Sequence, residues 1–281
     1  MSSQDNFTLA AFQLQPSKTI STTITAINTL TVSLTSQDII PNCIVLPEYI
    51  FGTLRDWKDK EKEREEKSNK IINAMSELCK QHHVAMVAGS IPHKTLADQW
   101  RNRSYIFSAD GNLVGSYDKQ RPFRSEKFMG LEPGNHTPIF EFSKLRLSVL
   151  ICADLWLPEI IYAIRGKIDF IAVPTMTTVL NKNQIAYGRW NWHSLVAVRA
   201  KEYAVPIVSA DHAPWEYVPG VYTCGASCIA DSSYRFSDEE GPYTQALKVP
   251  QQKPQTAVVS TISRKAVRAY QGYRKDVGLL E

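Results

Sequence analysis

Three residues with complementary chemistry, a thiol, a carboxylate and an amine, each stand at the end of a strand-like segment. Cys152 closes Leu147-Ser148-Val149-Leu150-Ile151 and opens Ala153-Asp154-Leu155-Trp156-Leu157-Pro158-Glu159. Glu48 follows Ile44-Val45-Leu46-Pro47, and Lys119 follows Gly115-Ser116-Tyr117-Asp118. A free thiol is mostly protonated at neutral pH, so nucleophilic use needs a base or a cation nearby. Glu48 is the right type to take that proton. Attack on a carbonyl or nitrile carbon moves negative charge onto oxygen or nitrogen. An ammonium such as Lys119, with the backbone N–H of Ala153, could hold that charge. Taken singly, a strand-end cysteine is more often a buried apolar residue, and a loop Glu or Lys is solvated. Together the three point to acyl transfer.

The surrounding pattern supplies the strands. Residues 7–14, closed by Pro16, read as a first strand, and 43–46 as a second. Between them Ile20, Ile24, Ile27, Leu30 and Leu34 recur at spacings of three and four, which predicts an amphipathic helix. Ile71, Ile72, Met75, Leu78 and Cys79 predict another, leading to a strand at 84–89. The alternating charges of 55–70 suit a solvated helix or surface excursion, with a lid over the pocket left open. Residues 103–108 and 113–117 flank Asp110-Gly111 and read as a hairpin. After Cys152 come a helix near 158–164, a strand at 170–174, a helix near 190–203 and a strand at 205–209. Strand–helix alternation interrupted by a hairpin favours α/β architecture, a four-layer α-β-β-α sandwich with two mixed β-sheets. No repeat or flexible linker divides the chain, so residues 1–281 read as one domain.

Composition excludes several classes. The formal charge of +4 is spread along 281 residues with no polybasic block, which argues against nucleic acid. The opening residues lack a signal-like basic and apolar pattern, and no run approaches the roughly 18 apolar residues of a membrane helix. A cytoplasmic protein without membrane contact is expected. Five cysteines at irregular spacing imply reduced thiols. Cys224 and Cys228, placed on one strand, fit a metal knuckle poorly. His193 or His212 could serve a cysteine–histidine mechanism, but nothing around Cys152 resembles the signatures of such proteases. The adjacent His82 and His83 point in different directions at a helix end.

In chain order, Leu46-Pro47-Glu48, Tyr117-Asp118-Lys119 and Cys152-Ala153-Asp154 with Pro158-Glu159 resemble the base, lysine and nucleophile segments of the nitrilase, or carbon–nitrogen hydrolase, superfamily. Asn102 and the Gly111 turn resemble the stretch leading to the family lysine, and Pro133-Gly134 the turn after it. Glu126 resembles the family's second glutamate, with Glu132 as its competitor. The resemblance covers roughly residues 7–263.

That resemblance implies the same layered sandwich and a Glu48-Lys119-Cys152 triad. Cys152 would attack an amide carbonyl and form a thioester as the amine leaves. Lys119 and the Ala153 N–H would stabilise the tetrahedral intermediates, Glu48 would serve as base twice, and Glu126 would keep substrate and protons in place. It implies no cofactor and no metal, and a homodimer or larger homo-oligomer joined through helices after the nucleophile and near the C-terminus. Trp190, Trp192, Tyr270 and Tyr273 are candidates for that contact. True nitrilases usually carry Cys-Trp-Glu where this chain has Cys152-Ala153-Asp154, so a small linear amide is favoured, with an N-carbamoyl amine or amino acid as the alternative. A non-catalytic scaffold of the same fold is the rival reading. Gln120-Arg121-Pro122 stands where His-Leu is common. Arg121 and Arg124 could bind a substrate carboxylate or serve as surface charges. Tyr49, Arg124, Thr175 and Met176 are the candidate substrate contacts.

Overall fold

Period-two alternation in the first strands decides which side chains face which layer. In β1 (Asn6–Gln13), Leu9 and Ala11 join one buried cluster while Ala10 and Phe12 join another. The same split separates Cys43 and Val45 from Ile44 in β2 (Cys43–Val45), and Ala85 and Val87 from Met86 in β3 (Ala85–Val87). One face therefore meets a second sheet, and the other meets helices α1 (Ile20–Thr35) and α2 (Arg64–His82), through Ile27, Leu34, Met75 and Leu78. Helix α1 begins where the Thr19 hydroxyl accepts the Thr22 N–H at 3.2 Å. This computed structural model describes residues 5–15, 17, 19–53, 56–57, 63–233, 247–249 and 255–280.

The first sheet continues through β4 (Ile91–Lys94), β5 (Trp100–Phe107), β6 (Leu113–Asp118) and the late strand β16 (Thr256–Ser263). Its order is β16-β1-β2-β3-β5-β4, with β6 on the other edge of β5. β1, β2 and β3 run parallel, while β16, β4 and β6 pair antiparallel. The second sheet uses β7 (Phe140–Phe142), β8 (Leu145–Val149), β9 (Phe170–Pro174), β11 (Ile207–Ala210), β14 (Cys228–Ala230) and β15 (Leu247–Lys248). Its order is β15-β14-β11-β9-β8-β7, parallel across β8, β9 and β11. A small rim sheet joins β10 (Thr178–Val179), β12 (Trp215–Val218) and β13 (Val221–Thr223).

Helices α4 (Pro158–Ile164) and α5 (Ile185–Tyr203) cover the second sheet's outer face, sending Ile160, Ile161, Trp192 and Val196 into its core. The Trp192 indole N–H donates to the Ser209 hydroxyl at 2.9 Å. A short helix α3 (Arg124–Phe128) lies in the loop after β6, and α6 (Arg264–Asp276) closes the chain. Tyr270 of α6 packs on Ala204 and Leu280, and its hydroxyl donates to the Lys201 carbonyl at 3.2 Å. Two mixed sheets between helical layers realise the sandwich that the pattern implied.

Several boundaries move for local reasons. Helix α5 starts at Ile185, five residues before the apolar pattern suggests, because a 3₁₀ turn capped by Asn181 leads into it. Its strand partner β11 starts at Ile207, because the Val205 N–H is used on the Ala200 carbonyl to close the helix. Cys224 and Cys228 do not share a strand: Cys224 follows β13, Gly225 turns the chain at φ +69°, and Cys228 opens β14. Trp192 and Tyr270 are buried within the fold rather than at its surface. Of the charged stretch 55–70, residues 63–70 open into α2, and 55 and 58–62 lie outside the described residues, as does Pro16. All five cysteines are free thiols, and among the described residues no helix is long and apolar enough to cross a membrane.

Candidate active site

Strands β2, β6 and β8 end close together, and each delivers one of the three residues. After β2 the chain passes Pro47 to Glu48, which is buried, and turns at Tyr49 with φ +55°. That turn crowds Gly89, where an added Cβ would lie 2.1 Å from the Pro47 oxygen. β6 hands over to Lys119, whose N–H donates to the Asn102 carbonyl at 2.9 Å and whose carbonyl accepts the Gly134 N–H at 2.8 Å. A Cβ on Gly134 would stand 2.2 Å from the Asp118 oxygen, so only glycine lets the two segments approach. β8 leads to Cys152 at φ +47°, in the left-handed region that L-residues rarely occupy, followed by a 3₁₀ turn over Cys152–Trp156.

The polar groups form one closed network. Lys119 Nζ donates to Glu48 Oε1 and to Glu126 Oε2, each at 2.7 Å. Asn102 Nδ2 donates to Glu48 Oε1 at 2.8 Å and to Glu126 Oε1 at 2.9 Å. The Tyr49 hydroxyl donates to Glu126 Oε1, and the Phe123 N–H to Glu126 Oε2, both at 2.5 Å. The last bond is half of a capping box, so Glu126 starts α3 while facing Lys119. Cys152, half-buried, stands near enough to the Glu48 carboxylate for the two to shift each other's protonation.

Burial and charge set the protonation states. Burial pushes Glu48 up to about 7, with Lys119 opposing and Glu126 adding to the rise. Burial also pushes Glu126 up, but the Lys119 charge and the bonds from Lys119, Tyr49 and Phe123 hold it below the usual carboxylate range. Lys119 is desolvated, yet the two carboxylates raise it well above an ordinary lysine, so it stays an ammonium. The Cys152 thiol is pushed up to about 12 by burial and the Glu48 charge, while Lys119, the Met176 N–H and the Thr175 hydroxyl draw it down. The resting pair is therefore a thiol beside a carboxylate poised to accept its proton.

The family model for carbon–nitrogen hydrolases matches residues 8–270. The chain belongs to that carbon–nitrogen hydrolase family. A probable nitrilase of Schizosaccharomyces pombe is 31% identical over 144 residues, 50% of this chain and 49% of that one. A 2-oxoglutaramate amidase of Bacillus subtilis is 29% identical over 117 residues, 41% of this chain and 44% of that one. These matches span about half the length of the curated relatives. The crystal structure of a carbon–nitrogen hydrolase from Helicobacter pylori superposes with a TM-score of 0.79 at 16% identity, covering 98% of this chain and 94% of that one, a likeness of fold.

In this member of the family, the segment after β9 reaches Cys152. Thr175 and Met176 lie against the Cys152 sulfur, and the Thr175 carbonyl accepts the Glu48 N–H at 3.2 Å. Tyr49 is drawn instead to Glu126, its hydroxyl already used. Arg124 is exposed, with its guanidinium 5.6 Å from the Phe128 ring centre, and no hydrogen bond among the described residues ties it to the cluster. Glu132 is exposed and meets the fold through its N–H on the Trp100 carbonyl, whereas Glu126 stands beside Lys119. The His212 ring, buried and pushed down to about 4, does not pair with Cys152: its Nε2–H donates to the Glu48 main-chain oxygen at 2.5 Å. His193 lies on α5 against the backbone at Ala226 and Ser227.

Three contributors carried no assigned role in the sequence. Asp154 accepts the Ile151 N–H at 2.9 Å, the Arg121 N–H at 2.6 Å and the Tyr117 hydroxyl at 2.8 Å, so one carboxylate joins the Cys152 turn to the Lys119 loop. Asp211 accepts the N–H of Thr177, Ala226 and His212 and the Thr177 hydroxyl, which fixes the segment holding Thr175 and Met176. Asn102 is the third. Its signal was the alternation Arg101-Asn102-Arg103, which puts Asn102 on the face opposite two arginines that both reach Asp118.

Proposed function

We propose that the protein is a cysteine-dependent hydrolase of the carbon–nitrogen bond in small linear amides, working through a thioester. The observation that carries this reading is the meeting of Glu48, Lys119 and Cys152, with the Lys119 ammonium 2.7 Å from Glu48 and the thiol near the same carboxylate. As Cys152 attacks the amide carbon, its proton passes to Glu48, and the charge developing on oxygen falls to Lys119 and the Ala153 N–H. The Ala153 N–H sits in the first turn of a helical segment, where N–H groups have no intrahelical partner. Glu48 then protonates the departing amine, leaving the acyl group on sulfur. Water takes the amine's place, gives a proton to Glu48 and attacks the thioester. Collapse releases the acid and returns the thiol, so amide and water become acid and amine.

An amide is favoured over a nitrile because Ala153-Asp154 replaces the Trp-Glu usual after the nitrilase cysteine, and one relative of this chain is named an amidase. We also infer a homodimer over the outer face of α5, where Tyr187 and Trp190 are 62% and 63% exposed and pack together. The five free thiols support the cytoplasm as its compartment. Ammonia release from a panel of small amides, carbamoyl compounds and nitriles tests the reaction. The expected result is release from amides by the wild type and none by Cys152→Ala. Equal traces from both proteins on every compound would sink the proposal and leave the scaffold reading.

A further inference from the structure

We propose that Asn102 is a positioning residue of this reaction, aiming one side-chain N–H at Glu48 and the other at Glu126 so that both carboxylates stay ionised around Lys119. The inference rests on the hydrolase reading above. Asn102 is buried in β5, with both donor contacts below 3 Å, at 2.8 and 2.9 Å. Its main-chain oxygen also receives the Lys119 N–H at 2.9 Å. The base, the second glutamate and the lysine backbone are thus all referenced to one residue.

The unused end of the amide strengthens the case. Asn102 Oδ1 is buried with no hydrogen-bond partner among the described residues. An asparagine serving packing alone is ordinarily satisfied at both ends, because a buried acceptor without a donor is costly. Here the donors are both spent on carboxylates while the acceptor goes without.

Charge explains why such donors are needed. The groups facing Glu48 are the Lys119 ammonium, the Glu126 carboxylate, the Cys152 thiol and the Tyr49 phenol. Asp154 acts on the Lys119 charge, and His212 touches only the main-chain oxygen of Glu48. One cation cannot fully balance two buried carboxylates, so neutral donors must supply the rest. Loss of the Asn102 donors would leave Glu48 holding its proton to higher pH.

The test follows alkylation of Cys152 by iodoacetamide across pH, read on its own peptide by mass spectrometry, in wild type, Glu48→Gln, Asn102→Leu and Asn102→Asp. The wild-type rate is expected to rise through a midpoint near 7 as Glu48 becomes a base. Loss of a bond to a charged group should move that midpoint up by about one unit in Asn102→Leu, slowing labelling about fivefold at the wild-type midpoint, and by at least as much in Asn102→Asp. Asn102→Asp keeps the side chain's shape but puts a third carboxyl beside Glu48 and Glu126, whose negative charge adds to the rise that loss of the N–H donors causes. An unmoved midpoint in a folded Asn102 variant, or loss of fold in both, would overturn the Asn102 inference alone. No limb near 7 in the wild type, or a limb unchanged in Glu48→Gln, would overturn the hydrolase reading instead.

Discussion

Asp154→Asn should separate the support of the nucleophile from its chemistry. The Asp154 carboxylate is fully buried and accepts three hydrogen bonds, two on Oδ2 from Ile151 and Tyr117 and one on Oδ1 from Arg121. An asparagine of the same shape keeps one acceptor. In its better orientation the oxygen serves Ile151 and Tyr117, and the new NH2 points at the Arg121 N–H. That leaves a buried donor facing a donor, a loss of about 1–3 kcal/mol. Burial raises the Asp154 pKa above the usual carboxylate range, so the substitution also removes an unfavourable buried charge, and the net loss should fall in the lower part of that range. For 281 residues the unfolding entropy is about 0.6 kcal/mol/K, so the melting temperature should drop by about 2–4 °C.

Activity should suffer far more than stability. Arg121 sits two residues after Lys119, and Ile151 precedes Cys152 at its strained φ of +47°. Releasing the tie between them lets the ammonium and sulfur drift, and a displacement near 1 Å costs about a hundredfold. Differential scanning fluorimetry and kcat on the best amide, measured on the same preparation, check both halves. Wild-type kcat in a folded Asp154→Asn protein would refute the idea that this carboxylate sets the geometry. A drop beyond about 10 °C would show that the accounting of its bonds is wrong.

Two further substitutions test the packing that brings the site together. Gly134→Ala places a Cβ 2.2 Å from the Asp118 oxygen, so it should cost about 1–3 kcal/mol and lower kcat at least tenfold by displacing Lys119. Gly272→Ala, in α6 with nothing within 4 Å of its Cβ, should instead stabilise by about 0.5–1 kcal/mol with kcat unchanged; equal melting shifts in the two variants would contradict the close-approach reading. Trp190→Glu should convert a dimer to a folded monomer in sedimentation velocity, and a monomeric wild type would remove the proposed interface.

The Glu48 and Cys152 segments were legible because each follows a buried apolar strand that runs parallel to a neighbour in its own sheet, and the Lys119 segment because it closes the second strand of a hairpin. Register makes this concrete: Leu9, Cys43 and Ala85 align across three parallel strands, and Leu147 aligns with Phe170 and Ile171 with Ile207 in the other sheet. The α-β-β-α layering was legible for the same reason. Hydrogen-bond direction was not. The Tyr49 hydroxyl donates to Glu126, 77 positions away, a bond that no local pattern around Glu48-Tyr49 shows. Helix α3, five residues long with exposed Arg124 and Phe128, has no apolar period to betray it, since its one inward side chain is a carboxylate.

These misses share a cause that bears on how the site works. A buried ionisable group is costly unless its charge is answered, and the answers come from distant segments that the fold brings near as well as from sequence neighbours. Glu126 receives bonds from Tyr49, Asn102, Lys119 and Phe123, four donors of which the first two are distant in sequence and the last two share the loop before its own helix. Glu48 receives Lys119 and Asn102 and is left near 7, while Glu126 is held below its ordinary value. Two chemically identical carboxylates on one lysine are thus driven apart: burial wins at Glu48, while at Glu126 the Lys119 charge and the bonds from Lys119, Tyr49 and Phe123 outweigh it. The better-satisfied Glu126 is a fixed anion that keeps Lys119 charged and placed; the less satisfied Glu48 can exchange a proton with Cys152. In the proposed mechanism, a substitution that evened out those donors would blur the two roles, so that Asn102 and Glu126 would matter to the base as much as the thiol it serves.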